Sequence, residues 1–423
     1  MKIWQHLPKI GVILTACAIL FVSLFIVNQY TKDDTVKIGV LLPLTGPAES
    51  TGTKLKYAIE TAEEIINGRY SSANLELGPS AGLPNMGGKK VKFIFADHRA
   101  NPETARTEAI RLIKDEKVAA LIGAYHSSAT KTASQVAEEY KVPFLAGSSS
   151  SASLTTRGYS YFFRIAPDDN LETEFFFEYI KYLNEALNAG IKTLGIVYID
   201  NEYGTHASEM IDKWLDERYA DEGFEKVVEV RYSEDLNNMD EGIEKIKKAN
   251  PDVIFQASYI EDVTQFVKRY KEENIVPKAV LNYCGGFHDP YFIDALGADG
   301  NYFSGSSASL PSALNNETAN FINNLYREKS GEDIDGPALE EFASALIMAD
   351  AINTSSSLEG DKITNVLRTK EFLAPYFISN TIRFNEAGQN IRTISFMVQI
   401  QNGRYEAVWP LEMQYRKPQI LSK

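Results

Sequence analysis

From residue 36 to residue 300 the sequence alternates short β-rich apolar runs with helix-length amphipathic stretches, and no other feature limits the fold as strongly. Residues 36–42 (VKIGVLL), 91–95, 118–122 and 142–146 are expected strands, and 193–198, 226–231, 253–256 and 278–282 repeat the pattern further on. Helical periodicity fills the gaps between them. Asn101-Pro102-Glu103 is a strong helix start, with a capping side chain, proline at the first helical position and an early acid. Strands alternating with helices of this kind imply βαβ units and largely parallel sheets. The two runs, 36–165 and 167–300, hold too many strands for one comfortable sheet. The expected fold class is therefore α/β, with two doubly wound parallel-sheet lobes and a ligand cleft between them. A tail with helices near 317–330 and 338–353 and strands around 380–410 completes them, and the Ser-, Pro- and Gly-rich stretch 70–88 reads as a surface excursion.

A length of 423 residues agrees with two domains. Acidic residues outnumber basic ones 57 to 43, for a net charge of −14, which argues against a nucleic-acid partner because phosphate binding needs clustered Lys and Arg. The only cysteines, Cys17 and Cys284, offer neither an internal disulfide framework nor a Cys-rich metal site.

Residues 10–27 are 18 consecutive uncharged, mostly apolar positions preceded by Lys2 and Lys9. That length reaches the lower limit for spanning a bilayer, and the flanking lysines predict a cytoplasmic N-terminus. Residues 1–30 are thus expected to be an uncleaved transmembrane anchor, followed by a linker at 31–35. Two alternatives stand beside it. Leu14-Thr15-Ala16-Cys17 fits a lipidation signal, while ordinary cleavage wants a small-x-small site that residues 23–29 do not offer. All three place the rest of the chain outside the cytoplasm.

In open parallel sheets a ligand sits beyond the carboxyl ends of the strands. Four loops leave such ends: Gly123-Ala124-Tyr125-His126-Ser127-Ser128, Gly147-Ser148-Ser149-Ser150-Ser151, Ile199-Asp200-Asn201-Glu202-Tyr203-Gly204 and Ala257-Ser258-Tyr259-Ile260-Glu261-Asp262. Taken alone, Ser127 is a helix cap, the serine run a flexible loop and each tyrosine a surface aromatic. Together, hydroxyls and free N–H groups at a helix N-terminus make a site for a carboxylate or other negative oxygen. Tyrosines from the facing lobe can cover an apolar part and donate a hydrogen bond. Enzyme signatures are missing: there is no P-loop, no Gly-x-Gly-x-x-Gly after the first strand, no Gly-x-Ser-x-Gly and no His-Glu-x-x-His. The five histidines have no metal-ligand spacing, and only His126 and His288 fall on cleft loops. No cofactor, metal or catalytic residue is expected, and Cys284 is given no nucleophilic role.

Residues 36–46 (VKIGVLLPLTG) resemble the opening strand and loop of type I periplasmic binding proteins of the leucine/isoleucine/valine-binding group. Asp97 with Asn101-Pro102-Glu103-Thr104-Ala105, Val118-Ala119-Ala120-Leu121-Ile122-Gly123, Val142-Pro143-Phe144, Leu154-Thr155-Thr156-Arg157-Gly158, Phe163-Arg164 and Asp200-Asn201-Glu202-Tyr203-Gly204 continue the series in order. The resemblance spans about residues 36 to 410. It implies lobe one at 36–166 plus 303–391 and lobe two at 167–302 plus 392–415, with a short tail at 416–423. By the same resemblance, Ser127 matches the serine that binds a ligand carboxylate, Ser148 and Ser150 match the next loop's two positions, and Tyr203 and Tyr259 match the second-lobe aromatics. Where amino-acid binders carry an acid for the ligand ammonium, this chain has Cys284-Gly285-Gly286, leaving Glu202, Glu261, Asp262 or Asp289 as substitutes. An unpaired buried ammonium would be costly. The implied function is an extracytoplasmic solute-binding protein that captures an amino acid, amide or small carboxylate by lobe closure for an ABC permease. The alternative is a sensing ectodomain that signals to a membrane partner.

Overall fold

The computed structural model describes residues 35–71, 74–307 and 316–421. The apolar run 10–27 with Cys17, the expected anchor, lies outside the described residues, as does the Cys284 side chain. No helix among the described residues is long and apolar enough to cross a membrane.

The first half of the chain reads β1 (Thr35–Leu42), α1 (Glu49–Asn67), β2 (Lys90–Asp97), α2 (Pro102–Lys114), β3 (Ala120–Gly123), α3 (Ser127–Tyr140), β4 (Phe144–Ala146) and β5 (Phe162–Arg164). Then follow α4 (Asp169–Leu187), β6 (Thr193–Ile199), α5 (Glu202–Trp214), β7 (Glu225–Tyr232), α6 (Met239–Ala249), β8 (Val253–Ala257), α7 (Ile260–Glu272) and β9 (Ala279–Asn282). Two short helices, α8 (Cys284–Phe287) and α9 (Pro290–Leu296), lead to β10 (Ser304–Ser307). Helices α10 (Glu317–Ser330), α11 (Gly336–Ser355) and α12 (Gly360–Thr369) come next, then β11 (Phe372–Leu373), β12 (Thr381–Ile382), β13 (Phe396–Gln401) and β14 (Arg404–Trp409).

The first five strands make one wholly parallel sheet in the order β2-β1-β3-β4-β5, and the other main sheet runs β14-β13-β10-β9-β8-β6-β7. In the second sheet β10, β9, β8, β6 and β7 are parallel, while β13 and β14 are an antiparallel hairpin added at one edge. Each sheet has its own apolar core. Val40, Ile122 and Leu145 pack with α1, α10 and α11 around the first, and Val197, Phe255 and Leu281 with Phe176 and Phe266 around the second. The fold class expected from the sequence, α/β with parallel sheets, is what the molecule has.

Strand order reverses between β1 and β3 in the first sheet, and between β6 and β8 in the second. The helices after a reversal leave to opposite faces, so a crevice opens at those strands' carboxyl ends. The crevices therefore fall at Leu42 and Gly123 in one sheet, and at Ile199 and Ala257 in the other.

Two local expectations change. The helix between β6 and β7 starts at Glu202, inside the loop expected after β6, because Asn201 Oδ1 accepts the N–H groups of Tyr203 (3.1 Å) and Gly204 (3.3 Å) and so caps it. Tyr203 is consequently a first-turn helical residue instead of a loop residue. The stretch 70–88 is no mere surface excursion, since Leu75, Leu77 and Leu83 are buried in the first core. Two-residue β11 and β12 and three-residue β5 are too short for a periodicity to announce them, whereas α12, which buries Ile363 and Leu367 at helical spacing, was not among the expected helices.

Candidate ligand-binding cleft

The loop between β3 and α3 carries Ser127 and is fixed from three directions. His98 Nε2–H donates to the Ala124 carbonyl (2.9 Å), and its Nδ1 accepts the Ala100 N–H (3.1 Å), which sets the tautomer. Thr130 Oγ1 accepts the Ala124 N–H (3.1 Å) and pairs with Ser149 Oγ (2.6 Å), which donates to the Tyr125 carbonyl (3.0 Å). His126 is buried and packs against Tyr259, ring centroids 4.8 Å apart. Burial lowers both histidines, His98 to about 4 and His126 to about 3, so neither brings a positive charge.

The serine run is not a flexible loop. Ser148, Ser149, Ser150 and Ser151 are all buried, and the fully buried Arg164 holds them from behind. Its guanidinium donates to the carbonyls of Ser151 (2.6 Å) and Ser149 (3.3 Å), to Asp168 Oδ2 (3.4 Å) and to Gln389 Oε1 (2.6 and 2.8 Å). One arginine thus ties the loop after β4 to both Asp168, before α4, and Gln389, before β13. From the other side Glu341 accepts the Ser148 hydroxyl (3.1 Å) and the Ser344 hydroxyl (3.1 Å), together with the N–H groups of Gly147 and Ser148. A Cβ at position 147 would lie 2.6 Å from the Glu341 carboxyl carbon, so a side chain there would displace that carboxyl. Burial pushes the Glu341 carboxyl up to about 7.

Ser127, Ser148, Ser150, Tyr203 and Tyr259, the five residues singled out from the sequence, line one cavity. It encloses about 270 Å³ of empty space, counted with its open mouth. Tyr125, Gly285 and Pro337 complete the lining and were not singled out. Tyr125 stood in a flagged loop, but only Ser127 there had the hydroxyl-at-a-helix-start signature. Pro337 comes from α11, which no strand-end argument reaches.

The loops after the two sheets touch. Tyr125 donates its hydroxyl to the Gly285 carbonyl, and the Gly285 N–H donates to Tyr203 Oη (3.3 Å). The ring of Tyr259 lies 5.9 Å from Tyr125 and 5.2 Å from Tyr203. Lys131 Nζ meets Glu202 Oε2 at 2.7 Å, and Ser153 donates to Glu202 Oε1 (2.6 Å). Further out, Lys54 on α1 pairs with Asp289 (2.6 Å).

None of the four acids offered as ammonium partners is among the lining residues. Glu202 is taken by Lys131 and Ser153, and Asp289 by Lys54 and by the N–H of Tyr291 (2.9 Å). Asp262 accepts the Tyr232 hydroxyl (3.1 Å). Burial raises Glu261 to about 7 and Asp262 to about 6. His288 is also spoken for, by the Ser306 carbonyl. Among the described residues no group of three His, Cys, Asp or Glu is placed to hold a metal ion.

A family model described as periplasmic binding protein matches residues 35–404. The chain belongs to that family. The Leu/Ile/Val-binding protein homolog 7 of Brucella abortus is 25% identical over 383 residues, covering 89% of this chain and 91% of that protein. Among solved structures, the branched-chain amino acid transporter substrate-binding protein LivJ of Streptococcus pneumoniae, in complex with isoleucine, superposes with a TM-score of 0.72 at 19% identity. That match covers 89% of this chain and 100% of the other. An ABC-transporter solute-binding protein of Rhodopseudomonas palustris, in complex with 3,4-dihydroxybenzoic acid, gives 0.71 at 19% identity over 88% and 95% of the two chains. As a periplasmic binding protein, the chain has its cavity at the strand-order reversals, where this architecture places ligands.

Proposed function

We propose that the chain is an extracytoplasmic solute-binding protein that closes two lobes over a small carboxylate and presents it to an ABC-type permease. The lobes are residues 36–166 plus 303–391 and 167–302 plus 392–415, and the apolar run 10–27 tethers them to the membrane. One observation carries the choice of ligand: the cavity is lined by three serine hydroxyls, three tyrosines, a glycine and a proline, with no acid among them.

The serines sit at the start of α3 and on the Arg164-held loop. There, helix N–H groups without intrahelical partners and the hydroxyls of Ser127 and Ser150 favour a negative oxygen, while Ser148 gives its hydroxyl proton to Glu341. The tyrosine rings opposite suit a flat or branched apolar body. An α-ammonium would meet no counter-charge in this lining, and burying it unpaired is expensive. The solved relatives hold ligands of both kinds, isoleucine in one and 3,4-dihydroxybenzoic acid in another, and the lining here fits the second kind better.

Thermal unfolding of the full-length chain against acetate, benzoate, isocaproate, acetamide, urea and the branched amino acids tests this reading. A ligand at about 1,000 times its dissociation constant adds roughly 4 kcal/mol of stability, a shift of several degrees. Benzoate or isocaproate is expected to shift the transition, and Ser127→Ala with Tyr203→Ala to abolish the shift. A shift that survives both substitutions places the ligand elsewhere.

A further inference from the structure

Tyr125 lines the cleft, and its hydroxyl is spent on the protein itself. The residue stands in the loop between β3 and α3, and Gly285 stands in α8, beyond the other sheet. The hydroxyl of the first donates to the carbonyl of the second, a contact between residues 160 positions apart. Tyr125 makes it from a left-handed backbone conformation, φ 68°, which few non-glycine residues adopt and which gathers at binding sites. His126 of the same loop packs edge-on against the ring, with centroids 5.1 Å apart, and so helps to fix where the hydroxyl is presented.

Other carbonyls of the lining residues serve the scaffold. That of Tyr125 accepts the Ser149 hydroxyl (3.0 Å), that of Ser150 the Asp169 N–H (2.9 Å), and that of Tyr259 the Val263 N–H (2.9 Å). The Gly285 carbonyl instead accepts from a side chain that itself lines the cavity. Tyr125 and Gly285 follow different sheets, so opening the cleft parts them and closing it brings them together again. A ligand N–H bound in the cleft then contends with the tyrosine hydroxyl for this oxygen. A carboxylate only accepts hydrogen bonds, so it does not compete.

We propose that Tyr125 is a specificity-determining residue, whose hydroxyl occupies the Gly285 carbonyl in the closed cleft and so discriminates against ligands that carry an amino group beside their carboxylate. This inference rests on the carboxylate reading of the cleft and names a residue that enforces it. The lining holds no acid to pair an ammonium, and Tyr125 takes up the neutral acceptor that could partly replace one.

Isothermal titration of the full-length parent chain and of Tyr125→Phe, each with isocaproate and with leucine in one buffer, tests the assignment. Phenylalanine keeps the ring contacts with His126 and Tyr259 and removes only the hydroxyl. The quantity to read is the ratio of leucine affinity to isocaproate affinity, in which any general loosening of the closed cleft cancels. The ratio is expected to rise about tenfold in Tyr125→Phe, the value of one hydrogen bond from a charged donor. Tyr405→Phe is the control. It removes a hydroxyl that donates to the carbonyls of Phe287 and Asp289, loosening the same segment without touching Gly285, and is expected to leave the ratio unchanged. A ratio unchanged in Tyr125→Phe, or raised equally in Tyr405→Phe, overturns the proposal and leaves the carboxylate reading standing. A parent chain that binds no isocaproate, or binds leucine tenfold or more tightly than isocaproate, overturns the carboxylate reading and this proposal with it.

Discussion

On the first-sheet side of the cleft, three serine hydroxyls are held by a buried network in which Arg164, Glu341, His98, Thr130 and Ser149 each hold a loop carbonyl, N–H or hydroxyl. On the second-sheet side, Tyr203 projects from the first turn of α5 and Tyr259 from the cap of α7, both by way of helix starts. The contrast follows from what each wall has to recognise. A negative oxygen is stabilised by dipoles already in place, so that wall is held from behind by side-chain hydrogen bonds. An apolar body needs surface contact, which large rings supply with little conformational entropy.

The sharpest way to break this contrast is at Arg164. Arg164→Leu leaves Asp168 and two loop carbonyls without their partner and is expected to lower stability by about 3–5 kcal/mol in denaturant unfolding. No single change on the tyrosine wall is expected to match it. Glu341 gives the first wall a pH signature. Its carboxyl keeps a proton in the folded chain up to about pH 7. The stability this contributes is complete below the ordinary carboxyl pKa and is lost as pH rises from there to about 7, at about 1.4 kcal/mol per unit. Thermal unfolding between those limits is expected to flatten by that slope in Glu341→Gln.

Ligand binding sharpens the comparison. Ser127→Ala removes a charge-assisted hydrogen bond worth about 1.5–3 kcal/mol, so benzoate and acetate are both expected to weaken by roughly 10- to 100-fold. Tyr203→Ala is expected to weaken benzoate by about tenfold, in line with the value of an aromatic contact, and to leave acetate nearly unchanged. A loss shared equally by both ligands would erase the distinction between the walls. The smallest effect belongs to the bridge between them. Lys131 is about half exposed in its ion pair with Glu202, so Lys131→Ala is expected to change affinity only a few-fold, and less in high salt.

Much of this was legible in the sequence, because short β-rich apolar runs ending in turn residues mark strand ends, and strand ends mark the cleft. That rule picks out the four loops, and within them the family resemblance singles out Ser127, Ser148, Ser150, Tyr203 and Tyr259. Their supports follow from neither. Glu341 lies 193 positions from Ser148, and Gln389 lies 225 from Arg164, contacts that only the closed topology creates. Gly285 shows the same limit from the other side. Its lack of a side chain was visible, but the reason is spatial, since a Cβ there would meet Tyr203 Oη at 2.8 Å. Short elements such as β5, β11 and β12 carry too few residues for any period to register.

The central claim is that this cleft recognises a carboxylate and has no counter-charge for an ammonium beside it. Isothermal titration with leucine and with isocaproate, the same skeleton without the amino group, tests that claim most directly. Isocaproate is expected to bind at least as tightly as leucine in the parent chain, and to lose affinity in Ser127→Ala. Leucine binding tenfold or more tightly than isocaproate would contradict the account, because an acid outside the described lining would then have to pair the ammonium.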